Sequence, residues 1–422
     1  LKDYCTKIGS GSTPRGGANV YLDSGNVCLI RSQNIYNDGF SENGLVFISN
    51  SDAEKLNNVE IELNDVLINI TGDSVARVCL APKDKLPARV NQHVAIIRTV
   101  KNELDPKFVR YFLTDRNTQN HLLTLAGTGA TRNALTKGML EEFLVPKPDI
   151  LIQKKISKIL SDLDEKIHLN NQINQTLESI AQAIFKSWFI DFEPVRAKIA
   201  AKQEGNDPEL AAMCVISGKS EAELKKMPED DFAELQATAA LFPDELVESE
   251  LGEVPNGWFK TDLSILADLN VQSWTKKNCP EKVTYVDLSN TKWGVIQQTE
   301  EFIFEKAPSR ARRVLKIGDT IVGTVRPANG SYAFIQRENL TGSTGFAVLS
   351  PKHKNYAEFI YIVATDKENI KRLAHLADGG AYPAVSYDTV LNTPCILPIE
   401  NKDGVLNLFH KNVKEFYLLS AS

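Results

Sequence analysis

The chain has 422 residues, of which 42% are hydrophobic and 24% charged, and its formal net charge at pH 7 is −6. This length exceeds what one hydrophobic core usually sustains, so roughly two to three domains are expected. The sequence has no run of about 20 apolar residues, and its first residues show neither a basic region nor an apolar signal core, so a cytoplasmic protein is the expectation.

Acidic residues concentrate in the middle of the chain. Residues 1–150 carry 17 basic and 17 acidic residues, 151–250 carry 11 and 19, and 251–422 carry 20 and 18. The two flanking segments can therefore present basic faces to a polyanion despite the negative total. The six cysteines and six histidines are dispersed, without a CxxC pair or an HExxH motif. This pattern is typical of reduced structural thiols, and no metal site is expected.

The first segment, residues 1–147, has short β-rich runs separated by Gly, Asn and Asp, for example at 26–30 and 65–70. The stretch 106–123 instead has apolar residues at helical spacing. The sequence predicts a strand-dominated domain with a helix packed on its sheet.

A heptad pattern begins after Pro146-Lys147-Pro148. Apolar residues recur at alternating steps of three and four from Ile152 to Ile184, with Lys166 and Asn170 as polar interruptions. The pattern predicts a helix over 151–190, about 60 Å long, which Glu193-Pro194 ends. Two interpretations stay open: a coiled-coil helix between domains, or a long core helix of one globular domain.

Residues 201–254 are acidic and predict a surface connector with short helices. Strand-rich character returns over 255–398, with β-rich runs at 283–286, 320–325 and 345–349. A second strand-rich domain is therefore expected.

The two strand-rich segments share four similar stretches in the same order. Residues 63–68 (LNDVLI) match 317–322 (IGDTIV), and 108–115 (FVRYFLTD) match 359–366 (FIYIVATD). Both copies then contain Leu-Ala-x-x-Gly-Ala, at 125–130 and 376–381, and both close on an apolar strand and a proline, at 143–146 and 395–398. The offsets are 251 to 254 residues, so two homologous domains separated by a long helix are predicted.

The repeat predicts a second helix after Pro398. Leu406, Phe409, Val413, Phe416 and Leu419 begin it, within the expected segment 399–422. Two such helices would most economically pair antiparallel. The second is shorter than the first, so the natural chain is expected to continue, and exposure of Phe409, Val413 and Phe416 would favour self-association.

In this order of segments the chain resembles the specificity subunit of type I restriction-modification systems. The most specific stretch is 241–258 (LFPDELVESELGEVPNGW), which resembles the family's entry into its second recognition domain. Residues 184–195 (IFKSWFIDFEPV) resemble the end of its first conserved helix. The resemblance implies an α+β fold with two target-recognition domains, 1–147 and 255–398, separated by long conserved helices that form an antiparallel coiled coil. The first helix is placed at 148–200.

The resemblance also implies a function. Each recognition domain would bind one half of a bipartite double-stranded DNA target with an unspecified spacer. The conserved helices would dock two modification subunits, which methylate adenine using S-adenosylmethionine, and restriction subunits would join the complex. The chain itself would need no cofactor and would catalyse no reaction.

Candidate DNA-contacting residues follow from side-chain chemistry, because Arg, Lys, Asn, Gln and hydroxyl side chains contact phosphates and base edges. In the first domain they are Ser12, Thr13 and Arg15 in a glycine-rich loop; Arg31, Gln33 and Asn34 after a strand; Thr71 and Arg77 at a turn; and Thr131, Arg132, Asn133 and Lys137 in the richest donor cluster. The alternatives are a surface loop for the first group and strand-end turn chemistry for Asn34.

In the second domain the candidates are Trp274, Lys276, Lys277, Arg326, Ser331, Tyr332 and Tyr382. Trp274 suits stacking on bases, although an aromatic residue beside a loop also suits a domain core.

Catalytic motifs give no support to an enzyme. The sequence lacks GxSxG and GxxxxGK[ST], a glycine-rich methyltransferase loop and an Asn/Asp-Pro-Pro-Tyr site. Asp244, Glu248 and Glu250 imitate nuclease spacing, but no lysine follows them. The alternative from another class is a coiled-coil scaffold whose globular ends bind proteins.

Overall fold

The computed structural model describes residues 1–127, 133–250, 252–380 and 382–420. The chain divides into two compact units, which meet at the Leu169–Asn170 bond. Among the described helices, none has the length and apolar character that crossing a bilayer requires.

The first unit contains nine described strands and the first five helices of the chain. Strands β1–β9 cover Cys5–Ser10, Val27–Ile30, Ile35–Tyr36, Gly39–Phe40, Val46–Ile48, Val66–Asn69, Val78–Leu80, Ala88–Val90 and Val94–Thr99. Helices α1–α4 cover Asn50–Lys55, Pro106–Thr114, Arg116–Gly127 and Lys137–Glu142, and α5, which continues past the unit boundary, covers Ile150–Phe189.

A four-stranded antiparallel sheet, β1-β9-β6-β7, lies at the centre of the first unit. Its strands alternate between two apolar clusters because successive side chains of a strand point to opposite faces. Val66 and Ile68 pack in the cluster that contains Val109 of α2. Leu67 packs in the other cluster, with the small sheet β5-β2-β8.

The helix predicted over 106–123 is two helices, α2 and α3, separated at Asp115. The Asp115 backbone is extended, and its Oδ2 accepts from the N–H groups of Asn117 and Thr118 at 3.0 and 3.2 Å. A carboxylate in this position caps a helix start, which explains the break.

The second unit holds the rest of the elements. Helices α6–α9 cover Glu193–Glu204, Pro208–Ser217, Glu221–Leu224 and Glu229–Ala239, and α10–α13 cover Ala357–Thr365, Lys367–Leu376, Tyr387–Leu391 and Lys402–Ser420. Strands β10–β23 cover Leu246–Ser249, Gly252–Pro255, Trp258–Asp262, Ala267–Leu269, Lys282–Val286, Thr291–Lys292, Val295–Ile296, Glu300–Ile303, Ala311–Leu315, Thr320–Gly323, Tyr332–Phe334, Leu340–Ser343, Phe346–Pro351 and Pro394–Pro398.

The sheets of the second unit repeat those of the first. The order β13-β22-β19-β20 corresponds to β1-β9-β6-β7, and β17-β14-β21 corresponds to β5-β2-β8, with β18 added at its edge. Both smaller sheets contain the same parallel pair, β14 with β21 and β2 with β8. The predicted internal repeat and the two homologous strand-rich domains are therefore confirmed.

Helix α5 is present as predicted, but it ends at Phe189, well before residue 200. Phe192 has a left-handed backbone, with φ of 54°, and a separate helix, α6, begins at Glu193 with proline in its first turn. The segment 148–200 therefore contains two helices. Ile152, Ile159 and Leu163 of the heptad pattern are 50%, 62% and 52% exposed, which contradicts a core helix of one globular domain.

In the second unit, α13 lies antiparallel to the last turns of α5. The Phe409 ring contacts those of Phe185 and Phe189, with centroids 6.2 and 5.4 Å apart. Further along α13, Tyr417 lines the same cavity as Glu178, which lies earlier in α5. Later residues of α13 thus lie beside earlier residues of α5, so the two helices are antiparallel, as the predicted fold class requires.

The residues expected to drive self-association pack mostly inside the second unit. Phe409 and Val413 are fully buried, and Phe416 is half-buried. Phe409 and Val413 therefore offer no free apolar surface, and only Phe416 keeps part of its ring exposed.

The acidic connector packs more closely than a surface segment would. Lys198 of α6 is 2% exposed and donates to Glu209 of α7 and to the carbonyl of Phe242, at 2.6 and 2.8 Å. Phe242 itself packs against Trp188 and Trp258. The connector is thus anchored to the main core of the second unit.

Candidate nucleic-acid interface

Two loops of the second unit meet beside its central sheet. The loop after β19 and the loop after α11 are joined by a β-bridge between Val325 and Ala384 and by a hydrogen bond from the N–H of Arg326 to the carbonyl of Pro383, 2.8 Å. The guanidinium carbon of Arg326 lies 4.7 Å from the ring centroid of Tyr382. Both side chains are exposed, so two candidates that are 56 residues apart in sequence form one surface.

A short hairpin, β15–β16, borders the same surface. The N–H of Trp293 donates to the carbonyl of Gly330 at 2.7 Å, and that of Gly294 donates to the carbonyl of Tyr332 at 3.0 Å. Lys292 Nζ lies 3.3 Å from Ser331 Oγ. Lys292 and Trp293 were not among the sequence candidates, although the Lys-Trp-Gly turn between two short β-rich stretches was a signal that could have identified them.

Ser331 and Tyr332 themselves are largely buried. Ser331 Oγ donates to the carbonyl of Leu288 at 3.0 Å, and the ring of Tyr332 lies edge-on to those of Trp293 and Tyr361. Burial raises the pKa of Tyr332 to about 12. These two residues support the loop surface from beneath.

The other candidates of the second unit form a separate group around the loop before β14. Trp274 is half-buried and donates from Nε1 to Thr341 Oγ1 at 3.0 Å. Its backbone N–H donates to the carbonyl of Arg312, while Lys276 and Lys277 are exposed. The arginine-rich strand β18, which the sequence reasoning missed, therefore lies beside them.

The first unit repeats the meeting of two loops. Thr71, after β6, forms a β-bridge with Ala134, and the N–H of Gly72 donates to the carbonyl of Asn133 at 3.3 Å. Thr71 Oγ1 also lies 2.6 Å from His93 Nδ1. The candidates Thr131 and Arg132 lie outside the described residues. Asn133 is exposed, and so is Lys137, whose Nζ lies 3.5 Å from a carboxylate oxygen of Glu141.

The equivalent hairpin of the first unit, β3–β4, also approaches the loop after β6. The guanidinium carbon of Arg77 lies 4.6 Å from the ring centroid of Tyr36, which is 38% exposed. Arg77 stands at the position of Ser331, and Tyr36 at that of Lys292, in the repeated topology. The same two positions thus touch in both units with different chemistry.

Arg31, Gln33 and Asn34 separate into two roles. The Arg31 guanidinium lies over the Tyr21 ring, and Gln33 Nε2 donates to the carbonyl of Gly44 at 3.2 Å. Asn34 is fully buried; it accepts from the N–H of Arg31 and donates to the carbonyls of Ser41 and Asn43, at 3.0, 2.9 and 3.2 Å. The Asn34 amide is fully used in hydrogen bonds within the loop. Arg31 and Gln33 are therefore the polar groups nearer the surface.

Ser12, Thr13 and Arg15 follow β1. The N–H of Ser12 donates to the carbonyl of Val90 at 3.0 Å, and a Cβ added to Gly11 would lie 2.1 Å from that carbonyl oxygen. Glycine at position 11 therefore allows the loop to lie against the sheet. Ser12 and Thr13 are half-buried, and Arg15 is exposed.

Comparison with known proteins finds sequence relatives. The family model described as the type I restriction modification DNA specificity domain matches residues 1–179. The chain is 30% identical over 339 residues to the type I restriction enzyme HindI specificity subunit of Haemophilus influenzae, covering 76% of this chain and 73% of that one. It is also 34% identical over 100 residues to the MjaIX specificity subunit of Methanocaldococcus jannaschii, covering 24% and 23%.

Among solved structures, the S subunit of a type I restriction-modification system from M. genitalium aligns over 98% of this chain and 89% of its own, with 13% identity and a TM-score of 0.49.

The chain belongs to the family of type I restriction-modification specificity subunits. Members of this family are the non-catalytic DNA-recognition components of their complexes, and DNA and the other subunits of the complex are the partners that membership implies.

Proposed function

We propose that this chain recognises a bipartite DNA target, with residues 1–147 and 255–398 each binding one half, and that its helices dock the modification and restriction subunits. The observation that carries the proposal is the repeated surface. In the first unit the loop after β6 meets the loop after α3, and the hairpin β3–β4 borders them. In the second unit the loop after β19 meets the loop after α11, beside the hairpin β15–β16.

The chemistry of these surfaces suits DNA. Cations and amides stand on loops and a hairpin beside the central sheet: exposed Arg326 and half-buried Lys292 in the second unit, and half-buried Arg77 and exposed Asn133 in the first. Such groups bind phosphates and base edges. Because the equivalent positions differ between the units, the two half-sites would differ in sequence.

The test is selection from random duplexes with the purified chain, with and without its modification subunit, followed by sequencing of the retained DNA. We expect two short motifs at a fixed spacing. Absence of any enriched motif, even with the modification subunit present, would exclude DNA recognition and favour the alternative, a coiled-coil scaffold that binds proteins.

Salt dependence separates the two functions independently. Binding to DNA through several phosphates releases counterions and weakens steeply between low and physiological salt, whereas an apolar protein interface does not.

A further inference from the structure

Trp293 is the one tryptophan that the fold leaves exposed. Of the four in the chain, Trp188 and Trp258 are 3% and 6% exposed and Trp274 is half-buried, but Trp293 is 57% exposed. An exposed indole on a turn forgoes most of the burial that usually favours tryptophan in a fold. The exposed ring is therefore available to a partner outside the chain.

The backbone holds Trp293 in place. Its φ is 48°, in the left-handed region that a bulky side chain rarely adopts. Both it and Gly294 donate backbone hydrogen bonds to the loop that ends at Tyr332. A Cβ added to Gly330 would lie 2.6 Å from the indole ring, so the ring lies directly on that glycine. Strain of this kind persists where the surroundings impose it and often marks a binding site.

Two cationic residues lie on the hairpin and the turn that hold the indole. Lys292 precedes it on the hairpin, and Arg326, which also has a left-handed backbone with φ of 49°, begins the turn that ends at Gly330. Proteins that bend duplex DNA insert apolar or aromatic side chains between base steps, while cationic side chains on the same surface bind phosphates. A purely apolar protein partner would gain nothing from Lys292 and Arg326.

The first unit offers a related arrangement. Its hairpin presents Tyr36, partly exposed and beneath the guanidinium of Arg77. An aromatic residue thus stands on the hairpin of each unit, one position earlier in the first unit than in the second.

We propose that Trp293 wedges into a base step of the second half-site, with Lys292 and Arg326 binding nearby phosphates, and so favours the readily deformed steps there. This inference rests on the proposed function. It adds a specificity-determining residue on a hairpin outside the set of loops that sequence reasoning selected.

The test repeats the duplex selection, with modification subunit present, using Trp293→Ala, Trp293→Phe and Phe259→Ala. The last is the control, because it truncates another exposed aromatic ring of the same unit. We expect Trp293→Ala to lose preference at one or two adjacent positions of one half-site and to bind the wild-type target roughly 10- to 100-fold more weakly. The other half-site serves as an internal check that the variant is folded. Trp293→Phe and the control should keep the full motif.

Fluorescence gives a second measurement. Tryptophan emission of the wild type should fall when the selected duplex is added, and this fall should disappear in Trp293→Phe while binding persists. An unchanged motif and affinity in Trp293→Ala, or quenching that persists in Trp293→Phe, would overturn the proposal and leave the proposed function intact. Failure of the wild type to select any motif would instead overturn the function.

Discussion

The two units attach equivalent helices to equivalent domains by opposite chemistry. Gln153 and Ser157 of α5 and Val405 and Phe409 of α13 are separated by the same offset of 252 residues, and all four are 3% exposed or less. In the first unit the contacts are hydrogen bonds: Ser157 Oγ donates to Asp105 Oδ1 at 2.6 Å, and the N–H of Asp105 donates to Gln153 Oε1 at 2.9 Å. In the second unit the same places are apolar.

The difference shows what a repeat conserves. The position of the helix on its domain is kept, while the interaction that holds it is free to change, provided that each buried polar group finds a partner. The second unit has an additional layer, because Phe185 and Phe189 from the end of α5 pack on Phe359 and Phe409. Apolar burial should therefore make this contact the more stable of the two.

The largest effect is expected from Phe409→Ala. Removing a fully buried ring that contacts four other aromatic residues should lower the free energy of unfolding by about 3–5 kcal/mol. Urea unfolding followed by tryptophan fluorescence measures it, because all four tryptophans lie in the second unit. The matched variant is Ser157→Ala. Amide hydrogen exchange in α2 should show that it lowers the local free energy of unfolding by only about 1 kcal/mol. Equal losses at the two positions would break the comparison.

An intermediate effect is expected from Arg110→Ala in the first unit. Arg110 is 8% exposed, and its guanidinium donates to Asp164 of α5 and to the carbonyl of Asn37, both at 2.7 Å. Losing a largely buried charged donor with two partners should cost about 2–3 kcal/mol, measured by amide exchange in α2 and the start of α5. The control is Lys158→Ala, which removes the exposed ion pair with Asp162 and should cost less than about 0.5 kcal/mol. If the two variants behaved alike, the polar contact would not hold the helix.

The smallest effect concerns Glu178, a carboxylate beside the aromatic contact. Burial raises its pKa above the ordinary value, while Lys367 partly opposes the shift. Because the folded pKa exceeds the unfolded one, ionisation costs stability once the pH rises above the unfolded pKa of about 4.3. Glu178→Gln should therefore be slightly more stable than the wild type at pH 7, and this advantage should vanish near pH 4.

The same fluorescence-detected unfolding at the two pH values measures this difference. The exposed Glu305→Gln of the same unit is the control and should show no gain at pH 7. A Glu178→Gln advantage that stays constant with pH would mean that ionisation is not its cause.

Local patterns in the sequence determined the main elements. The heptad pattern predicted α5 to within a residue at each end. The spacing of apolar residues depends only on residues that are close in the sequence, so it can be seen without the tertiary structure. The repeat predicted two homologous domains, and the structure shows that they share a sheet order. The helix break at Asp115 was missed because a capping carboxylate looks the same in sequence as a solvated one.

The candidate surface was predicted only in part. Arg326 and Tyr382 were selected by residue type, but their meeting depends on a bridge between segments far apart in the chain. Asn34 and Tyr332 were selected by the same chemistry and are buried, while Trp293 was missed and is exposed. The sequence gives the chemistry of each side chain directly. Exposure depends instead on which distant segments pack over a residue. Only the tertiary structure therefore decided which polar and aromatic groups reach the surface.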